Sequence, residues 1–325
     1  MPGLLLRPPP LDCLTSFALN AAARSRTFPA SKHLLRRLSA MNRDLLPATF
    51  TPAALLLATW LTAGVTGTAL AGPWAEVTAP STGLTKVIGG VSSGCIAGAQ
   101  TLPAEGDGYV SIRRYRNRFY GHPDLLRLVS DLARKQARRG PDLVMIGDLS
   151  QPRGGLMSSS HRSHQNGLDV DIWFQLAPSA AVANRDTANQ ADPPSMVTPD
   201  GEGLSPLWGD DQQALLKTAA EDPRVERIFV NAAIKRALCA SDGDTAWLRK
   251  LRPWFGHDAH FHVRLPCPHD SSECTPQAAI PAGDGCGSEL DWWFSAEARQ
   301  PAKKSSTPRP EPTTPAACRP LLSTN

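Results

Sequence analysis

Hydrophobic and polar positions follow two different periods along the chain, and each period predicts a different kind of element. Between Pro123 and Gly140, leucine and valine side chains recur at three- and four-residue spacing, which predicts an amphipathic helix. Between 169 and 174, apolar residues alternate with aspartates and a tryptophan, which predicts a half-buried strand. The same reasoning predicts strands at 109–115, 143–146, 225–230 and within 254–265, and helices at 212–220 and 234–239. Because strands and helices mix without a βαβ rhythm, the predicted fold class is α+β with a mainly antiparallel central sheet flanked by helices.

Polar segments rich in glycine, serine or proline separate these elements and predict the domain boundaries. Residues 72–108 and 153–163 are rich in Gly and Ser, and the second stretch is predicted to be a loop. Residues 178–203 are polar and proline-rich, which indicates an insertion or a lid. The chain ends in a solvated, Pro-rich tether. We therefore predict one folded domain over 72–300 and a tail over 301–325.

The segment before Gly72 differs from the rest of the chain and predicts export. Residues 41–71 begin with a methionine, carry an early arginine, contain an apolar run at 53–65 and end in Ala-Leu-Ala, which together indicate a secretory signal peptide. The apolar run is too short to span a bilayer, which takes about 20 apolar residues. Residues 1–40 are Arg-rich and acid-poor, and we interpret them as an over-extended start. A long n-region or an organellar transit peptide is the alternative interpretation.

Removal of this leader changes the charge balance. The whole chain has 34 Lys and Arg against 30 Asp and Glu, a net charge of +4. Residues 1–71 contain seven of the basic and two of the acidic residues, so the mature chain keeps 27 and 28 and has a net charge of −1. A near-neutral chain gives no support to a nucleic-acid partner, and none is expected.

The cysteines predict three disulfides. Cys13 leaves with the leader, and the six cysteines that remain are an even number in an exported protein. Spacing favours only Cys267 with Cys274, as a small local loop. Zinc ligation is the alternative, but no two of these cysteines form a C-x2-C pair. Cys318 follows the tether, which indicates that the tail is linked back to the folded body.

Histidines are concentrated in two short stretches, HRSHQNGLDVDIW and GHDAHFHVRL. Five of the eight histidines lie there: His161, His164, His257, His260 and His262. Zinc takes imidazole nitrogen and carboxylate oxygen, and a catalytic site leaves one position open for water. We therefore expect His164, Asp171 and His262 as ligands, with His260 beside the metal. There His260 can take a proton from the attacking water or stabilise charge in the transition state. A purely structural metal site is the alternative.

A G-x-S-x-G match and two isolated histidines are weaker candidates for functional residues. Residues 90–94 match G-x-S-x-G, but a nucleophile elbow needs a strand before the serine and a helix after it. The sequence predicts neither around Ser92, so we do not expect a serine acyl-enzyme. His122 and His269 are isolated, and we interpret them as structural.

The H-x6-D motif followed by H-x-H resembles the exported zinc peptidases that cut D-amino-acid peptide bonds in peptidoglycan. These are related to D-Ala-D-Ala dipeptidases and to the Hedgehog amino-terminal fold. More specifically, the mature chain resembles the penicillin-insensitive murein endopeptidase family. The matching stretches are SSGCIAGAQTLP, FYGHPDL, HRSHQNGLDVDI, RIFVNAAIK, WLRKLRPWFGHDAHFHVRLPCP and GDGCGSEL.

The resemblance implies a periplasmic zinc D,D-endopeptidase of a Gram-negative bacterium, acting on the D-alanyl–meso-diaminopimelyl cross-link of peptidoglycan. It also implies the disulfides Cys95–Cys318, Cys239–Cys286 and Cys267–Cys274. A zinc-water mechanism would be insensitive to penicillin, because β-lactams acylate a serine. Two alternatives remain open: a zinc D,D- or L,D-carboxypeptidase on murein stem peptides, and a non-catalytic envelope protein stabilised by zinc.

The site residues that the resemblance implies are the Zn²⁺ ligands His164, Asp171 and His262, with His161 at or next to the metal, and the assisting catalytic residues His260 and His257. The family can carry a further metal-binding Asp-Gly-x-His after the first motif. This chain keeps Asp200, but Gly203 stands where the histidine would be. A second metal at Asp200 is therefore not expected.

Overall fold

The structure is a computed structural model that describes residues 72–158, 161–188, 192–241, 243–300 and 313–323. The predicted signal peptide at 41–71 and the predicted over-extended start at 1–40 lie outside the described residues and stay predictions. Most of the predicted tether at 301–325 lies outside them as well.

The described chain alternates short strands with helices. The strands are β1 Lys86–Gly90, β2 Ser93–Ala97, β3 Gln100–Thr101, β4 Glu105–Gly106, β5 Tyr109–Ser111, β6 Tyr120–Gly121, β7 Leu143–Ile146, β8 Asp169–Ala177, β9 Arg227–Val230, β10 Leu251–Pro253 and β11 His260–Arg264. The α-helices are α1 Pro123–Ala137, α2 Ala180–Thr187, α3 Asp210–Glu221, α4 Ala232–Cys239, α5 Ser288–Asp291 and α6 Pro320–Ser323. Within these residues, no helix has both the length and the apolar character needed to cross a membrane.

Seven strands form the central sheet, in the order β10-β9-β11-β8-β7-β5-β4. Strand β11 pairs antiparallel with β8 and β9, and the pairs β7–β8 and β4–β5 are antiparallel as well. Only β9–β10 and β5–β7 are parallel within this sheet. The sheet is therefore mainly antiparallel, which confirms the predicted α+β class.

Helix α1 forms where the apolar period predicts it. Leu125 and Leu128 are buried in the main core together with residues of the sheet. Pro123 is the first helical residue, a position where its missing N–H costs nothing. The preceding His122 caps the helix, because its Nδ1 accepts a hydrogen bond from the backbone N–H of Asp124 at 3.2 Å. This histidine therefore has the structural role expected of it.

Strand β8 is more buried than its alternation predicts. Val170, Ile172 and Phe174 face the main core and have no exposed surface. Asp169 and Asp171, which a half-buried strand would expose, are buried as well. The prediction of a half-buried strand is therefore wrong. The second face is covered by polar side chains and becomes the floor of a site.

The glycine-rich stretch at 72–108 contains a hairpin that the sequence does not predict. Strands β1 and β2 pair antiparallel, with Val87 opposite Ile96. Ser92 of the G-x-S-x-G motif lies in the turn between them. A strand does precede this serine, contrary to the prediction, but a second strand follows it where a nucleophile elbow needs a helix. The observed hairpin therefore excludes a nucleophile elbow at Ser92.

Three disulfides join Cys95 to Cys318, Cys239 to Cys286 and Cys267 to Cys274. These are the pairs that the family resemblance implies. Cys95 lies in β2, so the first bond attaches the C-terminal segment to the hairpin across 223 residues of sequence. A cross-link over so long a loop removes a large part of the conformational freedom of the unfolded chain.

Helix α4 buries a cation. Lys235 has no exposed surface, and its Nζ donates a hydrogen bond to the carbonyl oxygen of Leu251 at 2.8 Å. Burial, followed by the positive charge of Arg252, lowers the pKa of Lys235 to about 8. Asp284 and Glu289 oppose this shift only in part.

This buried ammonium predicts that stability rises with pH on the alkaline side. Between about pH 8 and pH 10.5 the unfolded chain binds a proton that folded Lys235 has released, so the free energy of unfolding increases through that window. The contribution is about 3 kcal/mol. Lys235→Met should lack this rise, whereas the surface control Lys217→Met should keep it. Urea unfolding of the three proteins across the window measures the difference, and identical pH profiles would contradict the prediction.

Candidate active site

The pairing of β8 with β11 brings the two histidine-bearing stretches together. In this register His262 lies opposite Asp171, and Arg264 lies opposite Asp169. Directly opposed side chains of an antiparallel pair project from the same face of the sheet. His262 Nδ1 is 3.5 Å from Asp171 Oδ1, and His262 Nε2 is 3.3 Å from Asp169 Oδ2.

His164 reaches the same point from the loop that precedes β8. Its backbone is left-handed, with φ at 66°, and its N–H donates a hydrogen bond to Asp169 Oδ2 at 3.0 Å. The ring Nδ1 lies 3.1 Å from the carbonyl oxygen of Leu149. Because a carbonyl oxygen can only accept, Nδ1 carries the proton. The other ring nitrogen, Nε2, is 3.4 Å from Asp171 Oδ1.

Asp169 is a site residue that sequence reasoning did not single out. Arg264 donates to both of its carboxylate oxygens, at 2.6 Å and 2.9 Å. Asp169 Oδ2 also faces His262 Nε2. A carboxylate behind an imidazole fixes the orientation of the ring and raises its basicity. The sequence did contain a signal for Asp169: in Asp-x-Asp and in His-x-Arg, the two polar side chains share one face of a predicted strand.

Burial and neighbouring charges set the protonation states of these groups. Burial lowers the pKa of His262 to about 3. Burial alone would raise the pKa of Asp171, but the charges of His164 and His161 hold it well below the usual range. The pKa of Asp169 is held well below its usual range, against burial, by Arg264. Burial would also lower the pKa of His164, but the carboxylate of Asp171 raises it. A metal ion bound here would compete with that proton.

Within the part of the chain that the structure describes, two overlapping groups of side chains could hold a metal ion. They are His161, His164 and Asp171, and His164, Asp169 and His262, and in each the ligand atoms lie within 4.8 Å of one another. The oxygens of Asp169 are engaged by Arg264, whereas His164 Nε2 and Asp171 Oδ1 are buried without a hydrogen-bond partner. Such unsatisfied buried atoms are costly. A cation would satisfy both, and the mixture of imidazole nitrogen and carboxylate oxygen suits zinc.

His161 lies on the cleft side of this cluster. Its Nε2 is 3.0 Å from Asp148 Oδ2 and 3.5 Å from Asp171 Oδ2. Asp148 also pairs with Arg116 and Arg118, at 3.1 Å and 2.9 Å. Burial would raise the pKa of Asp148, but the hydrogen bond and charge of His161 lower it to about 2. No motif marks Asp148, and sequence reasoning missed it.

His260 and His257 line the cleft that opens beside the cluster. The side chain of His260 is 23% exposed, and its Nε2 lies 3.9 Å from Asp171 Oδ1. His257 has a left-handed backbone, with φ at 53°, and its Nδ1 is 3.0 Å from the carbonyl oxygen of Phe255. The two imidazole rings are 5.0 Å apart. Burial, followed by the charge of His260, lowers the pKa of His257 to about 4. The fold thus brings all five clustered histidines together: His161, His257 and His260 line the cleft, and His164 and His262 are buried beside it.

Asp200 lies apart from these residues. Its side chain is exposed and accepts hydrogen bonds from Thr198 Oγ1 at 2.6 Å and from the backbone N–H of Glu202 at 3.0 Å. Neither metal-capable group of the described residues includes it. His269 is exposed as well.

The fold and the site together define the class. Buried carboxylates and imidazoles that could hold a metal ion, next to an open cleft, are the arrangement of metal-dependent hydrolases. The chain belongs to the penicillin-insensitive murein endopeptidase family, whose sequence profile matches residues 87–323. It is therefore a peptidase.

Curated relatives cover most of the chain. A penicillin-insensitive murein endopeptidase of Yersinia enterocolitica is 46% identical over 252 residues, which are 77% of this chain and 90% of the relative. One from Klebsiella pneumoniae is 45% identical over 261 residues, 79% of this chain and 93% of the relative. One from Pectobacterium atrosepticum is 45% identical over 252 residues, 77% of this chain and 88% of the relative.

Because the Asp169–Arg264 ion pair is buried, we expect that removing its cation strongly destabilises the fold. Arg264→Met should leave the Asp169 carboxylate buried without its cation and lower the free energy of unfolding by about 3 to 5 kcal/mol. The control Arg185→Met removes an exposed pair with Asp186 and should cost less than about 1 kcal/mol. Urea unfolding measures both variants. Equal, small losses would show that the buried pair does not stabilise the site.

Proposed function

We propose that the mature chain, beginning at Gly72, is a periplasmic zinc D,D-endopeptidase that hydrolyses the D-alanyl–meso-diaminopimelyl cross-link of peptidoglycan. The observation that carries this proposal is the buried group of His164, Asp171 and His262, of which Asp171 lines an adjoining open cleft. Membership of the murein endopeptidase family supports the substrate class. Export by the signal peptide at 41–71 would deliver the enzyme to the compartment that holds this substrate.

In this proposal His164, His262 and Asp171 would hold zinc, the first two through the imidazole nitrogens that face Asp171 Oδ1. Two observations support this. His164 Nε2 and Asp171 Oδ1 are buried without a hydrogen-bond partner, and all three side chains converge on one point. His161 lies next to the metal, between Asp148 and Asp171. Bound zinc supplies Lewis-acid chemistry, polarising the scissile carbonyl and lowering the pKa of a water to about 7.

The chain's own residues hold the ligands in place. Asp169 faces His262 Nε2, and the Leu149 carbonyl accepts from His164 Nδ1, so each imidazole presents its other nitrogen to the site. Arg264 in turn fixes Asp169. This arrangement keeps both ligand rings from rotating when substrate binds.

His260 is the residue that we assign to proton transfer. Its ring is partly open to the cleft and its Nε2 lies near Asp171 Oδ1, so it can reach both the attacking water and the substrate. It accepts the proton of the water and donates a proton to the leaving amine nitrogen of diaminopimelate. His257 is neutral near pH 7 because its pKa is about 4. With Nδ1 engaged by Phe255, its Nε2 is free to accept, and we assign it to positioning His260.

Metal content and product analysis test the proposed activity together. Purified residues 72–325 should contain about one zinc per chain and convert cross-linked dimeric muropeptides into monomers. A chelator should remove zinc and activity together. Penicillin should not inhibit, because β-lactams acylate a serine and the nucleophile here is water. Release of free D-alanine without loss of dimers would indicate a carboxypeptidase, and bound zinc without any hydrolysis would indicate a structural site.

A substitution at His260 tests the proton-transfer assignment separately. His260→Ala should lower kcat by a factor of about 100 to 10,000 while zinc content stays at the wild-type level. His269 is exposed, and the matched control His269→Ala should keep the wild-type kcat and zinc content. Muropeptide chromatography and metal analysis measure the two properties. Wild-type turnover in His260→Ala would exclude the residue from catalysis.

A further inference from the structure

An exposed group of aromatic side chains lies at the rim of the catalytic cleft. We call it the aromatic platform, and it consists of Trp254, Phe255, Trp292 and Trp293. The exposed fractions are 55% for Trp254, 61% for Phe255 and 43% for Trp292. Side chains of this size bury most of their area in ordinary protein surfaces. A contiguous group left in water is the mark of a binding surface.

The rings of the platform form a continuous row. The centroids of Phe255 and Trp293 are 4.8 Å apart, and those of Trp293 and Trp292 are 5.3 Å apart. Trp254 lies beside this row, 6.4 Å from Trp293. Two distant segments of the chain therefore contribute to one surface, which runs from the cleft rim outwards.

The platform is anchored to the elements that carry the site. The ring of Trp254 contacts Phe229 of β9 at 5.8 Å, and Phe229 contacts the ring of His262 at 5.2 Å. The segment of Trp292 and Trp293 follows Cys286, which is bonded to helix α4. The position of the rings relative to the proposed metal ligands is therefore set by the core and a disulfide.

The platform shares one residue, Phe255, with the cleft. Phe255 lines the cleft together with His257 and His260. Asn231 holds the turn that carries Phe255 through two hydrogen bonds. Its Nδ2 donates to the carbonyl oxygen of Gly256 at 3.1 Å, and its backbone N–H donates to the carbonyl oxygen of His257 at 2.9 Å. A substrate bound in the cleft therefore meets the platform next.

We propose that the aromatic platform binds a pyranose ring of the glycan strand to which the cleaved stem peptide is attached. This proposal rests on the proposed function. One face of a pyranose ring presents C–H groups that are apolar and slightly positive, and these stack on the negative face of an aromatic ring. The stem peptide between cross-link and sugar is short and spans on the order of 10 Å when extended. With the cross-link at the histidines, this span allows a sugar to lie on the row of rings, which begins at Phe255 in the cleft.

The charge next to the platform disfavours a membrane as its partner. Asp291, which is exposed, directly precedes Trp292. Acidic groups repel the anionic headgroups that attract peripheral proteins. A neutral sugar is not repelled.

A paired-substrate experiment tests the platform. Cross-linked muropeptide dimers are compared with the same dimers after an amidase has removed their sugars, and the ratio of the two kcat/KM values is measured. The wild type should prefer the sugar-bearing dimers. In the double variant Trp254→Ala and Trp292→Ala this ratio should fall about tenfold, which corresponds to about 1.4 kcal/mol. Leu207→Ala, an exposed apolar control on a different segment, should keep the wild-type ratio.

Direct binding separates this proposal from the proposed activity. Oligomers of N-acetylglucosamine should change the tryptophan fluorescence of chelator-treated wild type and of Leu207→Ala, and should not change that of the double variant. An unchanged substrate ratio in the double variant, or an equal loss on both substrates, would overturn the platform as a glycan site. So would binding to anionic vesicles in place of the sugar oligomers. A wild type that binds the oligomers but cleaves neither dimer would contradict the proposed activity alone.

Discussion

The antiparallel pairing of β8 with β11 is the constraint on which the rest of the structure depends. Its register places His262 and Arg264 opposite the two carboxylates of β8. Because side chains alternate along a strand, a shift of one residue would turn these polar groups into the core. The apolar faces of the two strands prevent this shift: Phe174 of β8 and Phe261 of β11 are fully buried, with ring centroids 5.2 Å apart. Hydrophobic packing on one side of the sheet therefore sets the geometry of the site on the other.

Buried charge is distributed unequally over that polar face. Asp169 is compensated within the protein by Arg264, and Asp148 is compensated by two arginines and a histidine. Among the described residues, the Asp171 carboxylate pairs only with imidazoles, and one of its oxygens has no hydrogen-bond partner. Burying an incompletely compensated carboxylate is unfavourable. The first two carboxylates therefore serve as fixed supports, while Asp171 is the group that a cation would stabilise.

Two histidines that loops deliver to the site have strained backbones. His164 and His257 both have positive φ, a conformation that costs about 1 to 2 kcal/mol for a residue with a Cβ. Asp169 holds the first turn and Asn231 the second, each through hydrogen bonds to the backbone. The second turn also carries Phe255, so the same constraint positions a histidine of the cleft and the first ring of the aromatic platform. Strain of this kind persists only where surrounding contacts compensate it.

The sequence by itself determined the local elements and the chemical class of the site. The apolar period predicted α1 and β7, and the clustering of histidines around Asp171 predicted a group that could hold a metal ion, because both signals are local in sequence. It did not predict the β1–β2 hairpin, whose strands are short and interrupted by glycines. Only the tertiary structure decided that Asp169 is buried behind His262 and that Asp148 joins His161. It also decided that Trp292 meets Phe255 through Trp293 at the cleft rim. These contacts join residues far apart along the chain, and they depend on strand pairing and packing that no local pattern encodes.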